Sequence, residues 1–280
     1  HLVLARVSGA SFFDGIEGIY TKAGVGVMMR ASGEAANTLA DDLWVMGRPD
    51  TALDREREEG RIRDGLADLY RVTYMSRWDS LLADLGIAGD TDPRRLADAV
   101  AIVAGNPSPA KELLVAVAAE VDLQDLSTSA ADAIETLAAE RLSQVTKTVR
   151  APRRVVNVPQ SVTSHFKAFR LAVVPAAEGQ QAPLDDMLAA LEPLYRQLNH
   201  VAAGGDVLEL GAEPQTLLAQ LTDRNGKLPP SLQPFFARIL AQAGAITGGS
   251  SRARLVEIWN STVLPLCTAT TSGRYPFDPE

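Results

Sequence analysis

One stretch constrains this chain more than any other: RIRDGLADLYRVTYMSRWDSLLADLG, Arg61 to Gly86. Its apolar positions run Ile62, Leu66, Leu69, Tyr70, Thr73, Tyr74, Trp78, Leu81, Leu82 and Leu85. Steps of three and four gather these residues on one side of an α-helix, whereas a strand would send alternate ones to opposite faces. The spacing predicts a long amphipathic helix that must bury its stripe against other elements, with Gly86 as the stop.

The same period fills most of the chain. EAANTLADDLWVMG (Glu34 to Gly47) puts Leu39, Leu43 and Met46 on one face with Trp44 beside it. TDPRRLADAVAIVAG offers Asp92 as a cap and Pro93 in the first turn, and NPSPAKELLVAVAAEV repeats the device with Ser108 before Pro109. SAADAIETLAAERLSQV, SVTSHFKAFRLAV, PLDDMLAALEPLYRQLNHVAA, EPQTLLAQLTDR and PPSLQPFFARILAQAG continue the pattern. Pro193 falls inside one of these helices and should break it just before that residue. The last, SSRARLVEIWNSTVLPLCTAT, starts at Ser250 or Ser251 as cap and turns Leu255, Ile258 or Trp259, Val263 and Leu266 inward, with Pro265 disturbing its final turns.

Alternating β-branched runs are nearly absent, and aromatic residues are 5%. The fold class read from this is all-α, about ten helices joined by short loops, without a fixed repeat. Val3 to Gly33 is the exception. It holds six glycines, and residues 1–33 read as an irregular lead-in with room for a short extended segment. VRAPRRVVNVPQ, with two prolines and three arginines, breaks the periodicity. It divides the chain into helical subdomains at 34–148 and 161–271, with 149–160 as linker.

Charge and composition remove several function classes. Net charge is −8, against nucleic acid as a partner, because phosphate binding needs a concentrated basic surface. VRAPRR, the densest basic patch, is short and lacks interleaved aromatics, so it reads as solvated linker. One cysteine, Cys267, rules out an intramolecular disulfide and a cysteine zinc cluster. Its place on the apolar side of a helix predicts buried, inert packing. The chain opens on His1, not on Met, and reads as a fragment or processed form with an anchor or targeting signal outside it.

A search for chemistry finds neither a catalytic set nor a cofactor or metal motif. His165 and His200 lie on separate helices, neither with a second ligand one turn away. His165 is expected at a helix end or interface, and His200 near a helix C-terminus. KAGVGVMMRASG lacks the preceding strand of a dinucleotide fingerprint, and DRNGKLPP lacks the glycine spacing of a phosphate loop; its Asn-Gly reads as a turn. Asp41–Asp42 and Asp185–Asp186 are helical neighbours whose side chains diverge by about 100°, so they do not converge on one substrate. Trp44, Tyr70, Tyr74, Trp78 and Trp259 fit core positions. The enzymatic alternative is a peptidoglycan hydrolase using Glu17 or Asp14 in FFDGIEG, for which no second placed carboxylate can be named.

Several stretches, taken in order, resemble the IcmF/TssM family. GIYTKAGV (Gly18 to Val25) is similar to that family's Thr-x-x-Gly lead-in, except that Val25 stands where an aromatic often follows the second glycine. DDLWVMG is similar to its Trp-Val-x-Gly, LADLYRVTYMSRWDSLLADL to its helix with a Leu-Tyr, a second Tyr and a Trp, and GNPSPAKELLVAV to its Ser-Pro turn and helix. VTSHFKAF resembles a Val-x-x-x-Phe segment, and LVEIWNSTVLPLCTATTSGRYPFDP resembles a Trp-to-Cys helix followed by Gly-Arg-Tyr-Pro-Phe.

The resemblance implies the periplasmic section of an inner-membrane-anchored scaffold of a type VI secretion system. It implies a non-enzymatic role in assembly, self-association, and contact with a TssJ-like outer-membrane lipoprotein and a TssL-like inner-membrane protein. The alternative within the family is an IcmF-like component of a type IVB system. A β-rich domain outside this chain is expected to follow. Residues 272–280 then read as the hinge to it: Pro276 holds Tyr275 extended, Tyr275 and Phe277 pack back on the helical body, and Arg274 is left to pair with an acid or a helix C-terminus.

Overall fold

The computed structural model describes residues 3–12, 14–42, 52–87, 92–126, 157–177, 179–205 and 210–271. Among the described residues the architecture is all-α apart from one two-stranded sheet. In chain order the elements are β1 (Leu4–Arg6), a 3-10 turn (Gly18–Tyr20), α1 (Lys22–Asp42), α2 (Ala52–Asp84), β2 (Leu85–Ile87), α3 (Pro93–Ala104) and α4 (Pro109–Glu120). Then come α5 (Val158–His165), α6 (Lys167–Val173), α7 (Pro183–Ala190), α8 (Glu192–Ala202), α9 (Glu213–Gly226) and α10 (Gln233–Ile258). A π turn (Trp259–Val263) and α11 (Leu264–Thr271) finish the described chain. The helix expected at 129–145 lies outside the described residues.

These elements form two compact units, each made of separated stretches of chain. An aromatic unit takes Ala10–Asp84 and Lys111–Ala182; a strand-bearing unit takes His1–Gly9, Leu85–Ala110 and Pro183–Glu280. Contacts do not follow the sequential split into 34–148 and 161–271, because cores are assembled by contact and not by chain order. Of the expected linker, 149–156 lies outside the described residues, while 157–160 opens α5. Asn157 accepts the Gln160 N–H at 3.0 Å as cap, and Pro159 sits in the first turn, where its missing N–H costs nothing. The same logic caps α3: Asp92 Oδ1 accepts the Arg94 N–H at 2.9 Å, and Pro93 is the first helical residue.

The strand-bearing unit pairs β1 with β2 antiparallel, Leu4 opposite Ile87 and Arg6 opposite Leu85. Both residues flanking Gly86 are buried, and Arg238 of α10 donates to the Leu85 carbonyl at 2.6 Å. The stripe of α2 therefore ends one residue before Leu85, which turns into a strand instead of a last helical turn. Helices α3 and α8 pack along one another, with Leu96, Val100, Leu194 and Leu198 buried. Pro193 does break the helical pattern: α7 ends at Ala190, Leu191 turns, and α8 begins at Glu192 with the proline in its first turn. Helix α8 ends in a Schellman motif. Gly204 has φ +83°, its N–H reaches the Val201 carbonyl, and the Gly205 N–H reaches the His200 carbonyl at 2.9 Å.

Three expectations need correction here. The glycine-rich lead-in is helical from Lys22 onward. Asn225–Gly226 closes α9 without positive φ, its Asn225 Nδ2 donating to the Gln233 carbonyl at 3.2 Å. The run GGSSR is no helix start: α10 passes straight through Gly248 and Gly249. Two glycines in a helix interior cost about 1 kcal/mol each relative to Ala. The preceding turns, anchored by buried Phe235, Phe236, Ile239, Leu240 and Ala243, hold the helix together across them.

Candidate interaction surface

In the aromatic unit, α2 presents Tyr70, Tyr74 and Trp78 one turn apart, all buried. Residues four apart on a helix stack one above the next, and here the rings continue into each other: Tyr70 and Tyr74 centroids lie 5.9 Å apart, Tyr74 and Trp78 6.4 Å. Tyr20, from the 3-10 turn, stacks on Tyr70 at 5.6 Å with 21° between planes and meets Tyr74 edge-on at 6.5 Å. The buried line on α2 is narrower than the spacing suggests. It runs Ala67, Tyr70, Tyr74, Trp78 and Leu82, while Leu69 is 66% exposed.

A buried ring with a polar head needs a partner for that head. Each one finds a main-chain carbonyl. Tyr70 donates to Ile19 O, Tyr74 to Glu120 O at 2.9 Å, and the Trp78 indole to Tyr20 O at 2.9 Å. Burial, with Tyr20 beside it, raises the Tyr70 hydroxyl well above the usual phenol range. Burial does the same to Tyr74, helped by Tyr70 and Glu120. Both therefore remain donors. The 3-10 turn sits so close to the first turn of α1 that a Cβ on Gly24 would lie 2.2 Å from Gly18 O and 2.6 Å from Ile19 O.

The segment Glu120–Asp125 gathers the rest of this unit. The Glu120 carboxylate accepts the Lys22 backbone N–H at 2.8 Å, placing an anion at the start of α1. Asp125 pairs with Lys22 Nζ at 3.2 Å, Asp122 pairs with Arg170, and Thr163 Oγ1 accepts the Leu123 N–H at 3.0 Å. Neither Tyr20 nor Glu120 was singled out from the sequence. Tyr20 was visible in GIYTKAGV; Glu120 acts across 98 residues, which no local pattern signals.

The other site residues separate from this cluster. His165 stands in the last turn of α5, where Nε2 meets Asp79 Oδ2 at 2.8 Å, and His200 is in the last turn of α8. Glu17 is bound in an ion pair with Arg77 at 3.2 Å. Among the described residues no three His, Cys, Asp or Glu side chains gather as metal ligands. Trp44, Arg274, Tyr275, Pro276 and Phe277 lie outside the described residues.

Trp259 and Cys267 are corrections. Both are exposed, Trp259 at 54%, although the spacing places them inward. From Arg252 to Thr271 not one described side chain is buried. Leu255, Val256, Trp259, Leu264 and Leu266 are all exposed large apolar residues, Leu266 at 63%. The buried residues of α10 lie in its first two-thirds, through Thr247, and among the described residues none beyond that point is buried. Pro265 has no N–H for the Ser261 carbonyl, and the π turn over Trp259–Val263 precedes it, so the disturbance at that proline is present. Single exposed apolar residues are ordinary, but an uncovered run that includes a tryptophan is a candidate interaction surface.

Comparison with known proteins adds two findings. The model of the IcmF-related family, described as "Intracellular multiplication and human macrophage-killing", matches residues 1–122. The chain is also 30% identical over 292 aligned residues to the type VI secretion system component TssM1 of Pseudomonas aeruginosa. That alignment covers 98% of this chain and 26% of the relative, so the chain spans about a quarter of that protein's length. No solved structure matches the chain significantly.

Proposed function

This chain belongs to the IcmF/TssM family, and on that footing we propose that it is a periplasmic helical section of a type VI secretion membrane complex, acting by protein–protein assembly and not by catalysis. The type VI machine is favoured over a type IVB one because the relative similar over nearly the whole chain is a type VI component. Among the described residues no helix is long and apolar enough to cross a membrane.

The observation that carries the assembly reading is the bare apolar run from Leu255 to Leu266 at the end of the strand-bearing unit. Burying a tryptophan and several leucines needs area and shape, not converging polar groups, and that is what an assembly face supplies. Residues 272–280, next in sequence after Thr271, are the proposed hinge to a following β-rich domain. Contact with a TssJ-like lipoprotein and a TssL-like inner-membrane protein, and self-association, are the partnerships this reading assigns to the whole protein.

The test is a double substitution, Trp259→Glu with Leu266→Glu, in the full-length protein. The expected result is a complex that no longer co-purifies with its lipoprotein and inner-membrane partners, and loss of type VI secretion, at unchanged protein level. Normal co-purification and secretion would remove this face from the assembly. Release of fragments from purified cell wall, abolished by Glu17→Gln, would instead favour the hydrolase.

A further inference from the structure

The aromatic unit carries a cleft of about 650 Å³ between the end of α4 and the α5–α6 pair. None of the aromatic ladder, the Glu120 contacts or the terminal apolar face enters it. Its apolar part is Val115 on α4 and Leu171 and Val174 at the end of α6, all three large exposed hydrophobic residues. Buried Ala118 and exposed Ala119 also line the cleft, and neither has a side chain beyond Cβ to fill it.

The polar part is unequal in charge. Arg170 is engaged by Asp122, so that pair is close to neutral. Lys167, one turn before Arg170, is exposed and has no ion-pair partner among the described residues. Among the described residues the cleft therefore holds one cation without an ion-pair partner, in a chain whose net charge is −8. Gln160 places a carboxamide on the rim, which offers both a donor and an acceptor. A polypeptide main chain has need of both, whereas a lipid phosphate needs donors only and would meet the Asp122 carboxylate.

We propose that this cleft docks a segment of another protein that carries apolar side chains and one carboxylate, with the apolar residues between Val115, Leu171 and Val174 and the carboxylate on Lys167. The cleft is large enough for a few side chains. Apolar filling supplies the affinity, and the single charge pair fixes which segment fits and in which direction. The inference rests on this cleft alone and stands apart from the terminal apolar face.

The experiment places a photo-crosslinking residue at Leu171 of the full-length protein in the membranes of its own cells. Leu69, exposed in the same unit but not lining the cleft, serves as control. Crosslinked peptides are sequenced by mass spectrometry. The expected result is a crosslink from position 171, absent from 69, to an apolar stretch of a different protein within one turn of an Asp or Glu. Lys167→Glu should lower its yield about tenfold, and changing the partner's acid to Lys should restore it. A crosslink to any stretch of this same sequence, to lipid, or to a stretch without an acid would overturn the proposal. So would no crosslink, or a yield indifferent to Lys167→Glu.

Discussion

Helix α2 and the run from α10 through α11 carry the same kind of stripe, apolar residues three and four apart with a tryptophan among them, yet they end in opposite environments. On α2, Tyr74 is 0% exposed and Trp78 is buried beside it. On the terminal helix Trp259, Leu255, Val256, Leu264 and Leu266 face solvent, and Ile258 and Val263 are half-buried. Periodicity states which side of a helix wants cover; it does not state whether this stretch of chain supplies the cover. What distinguishes the two is the neighbouring carbonyls. The α2 aromatics reach Ile19, Tyr20 and Glu120 from two other parts of the chain, while the hydroxyls of Thr268, Thr270 and Thr271 bond only back along their own helix.

The largest effect that separates the two regions should come from the tryptophans. Trp78→Ala removes a buried ring and orphans Tyr20 O, and should cost about 3–5 kcal/mol of folding stability, read as a lower denaturant midpoint. An effect below about 1 kcal/mol would mean that α2 is no better covered than the terminal helix.

Next is Gly24→Ala. The added carbon meets backbone oxygens, which cannot swing aside as a side chain can. The 3-10 turn must move away from α1, carrying with it Ile19 O and Tyr20 O, the acceptors for Tyr70 and Trp78. A cost of about 1–3 kcal/mol is expected. Gly26→Ala, one step along the same helix with nothing within 4 Å of its Cβ, is the control and should be neutral or slightly stabilising.

Tyr74→Phe keeps the ring and deletes the donor to Glu120 O, and should cost about 1–2 kcal/mol. The same hydroxyls impose a pH dependence. Their folded-state pKa values are raised above the unfolded value of about 10. Below that pH both states are protonated and the contribution is fully present. Above it the unfolded chain loses protons that the folded one keeps, so stability should fall as pH rises beyond about 10. In Tyr70→Phe with Tyr74→Phe this alkaline loss should shrink, as followed by thermal unfolding at a series of pH values.

Helix type, the capping at Asp92, and the breaks at Pro193 and Pro265 were legible because each depends on a few adjacent residues. The stripe of α2 was legible too, but not its width: Leu69 satisfies the spacing and is left outside because the buried line follows steps of four through Tyr70, Tyr74 and Trp78. The lead-in helix and the passage of α10 through Gly248–Gly249 were misread, since glycine content reports local cost and not the packing that outweighs it. The strand at Leu85–Ile87 and the anion at Glu120 depend on partners far along the chain, β1 and Lys22. The bare terminal face could not be read at all, because an inward-facing pattern looks the same whether its cover is present in the chain or not.

The smallest effect is the one that sharpens the comparison most. Trp259→Ala should change the stability of this stretch by no more than about 0.5 kcal/mol, since its ring is half in water and leaves no cavity. It should also remove a readily quenched, red-shifted component of tryptophan fluorescence, while Trp78 stays shielded from acrylamide. In the assembled complex the order reverses. If the terminal stripe is covered by a partner, Trp259 becomes shielded there, and its truncation costs binding at a level typical of interface anchors, about 2 kcal/mol or more. A Trp259 equally quenched in the free chain and in the complex would mean that its stripe, unlike that of α2, is covered in neither state.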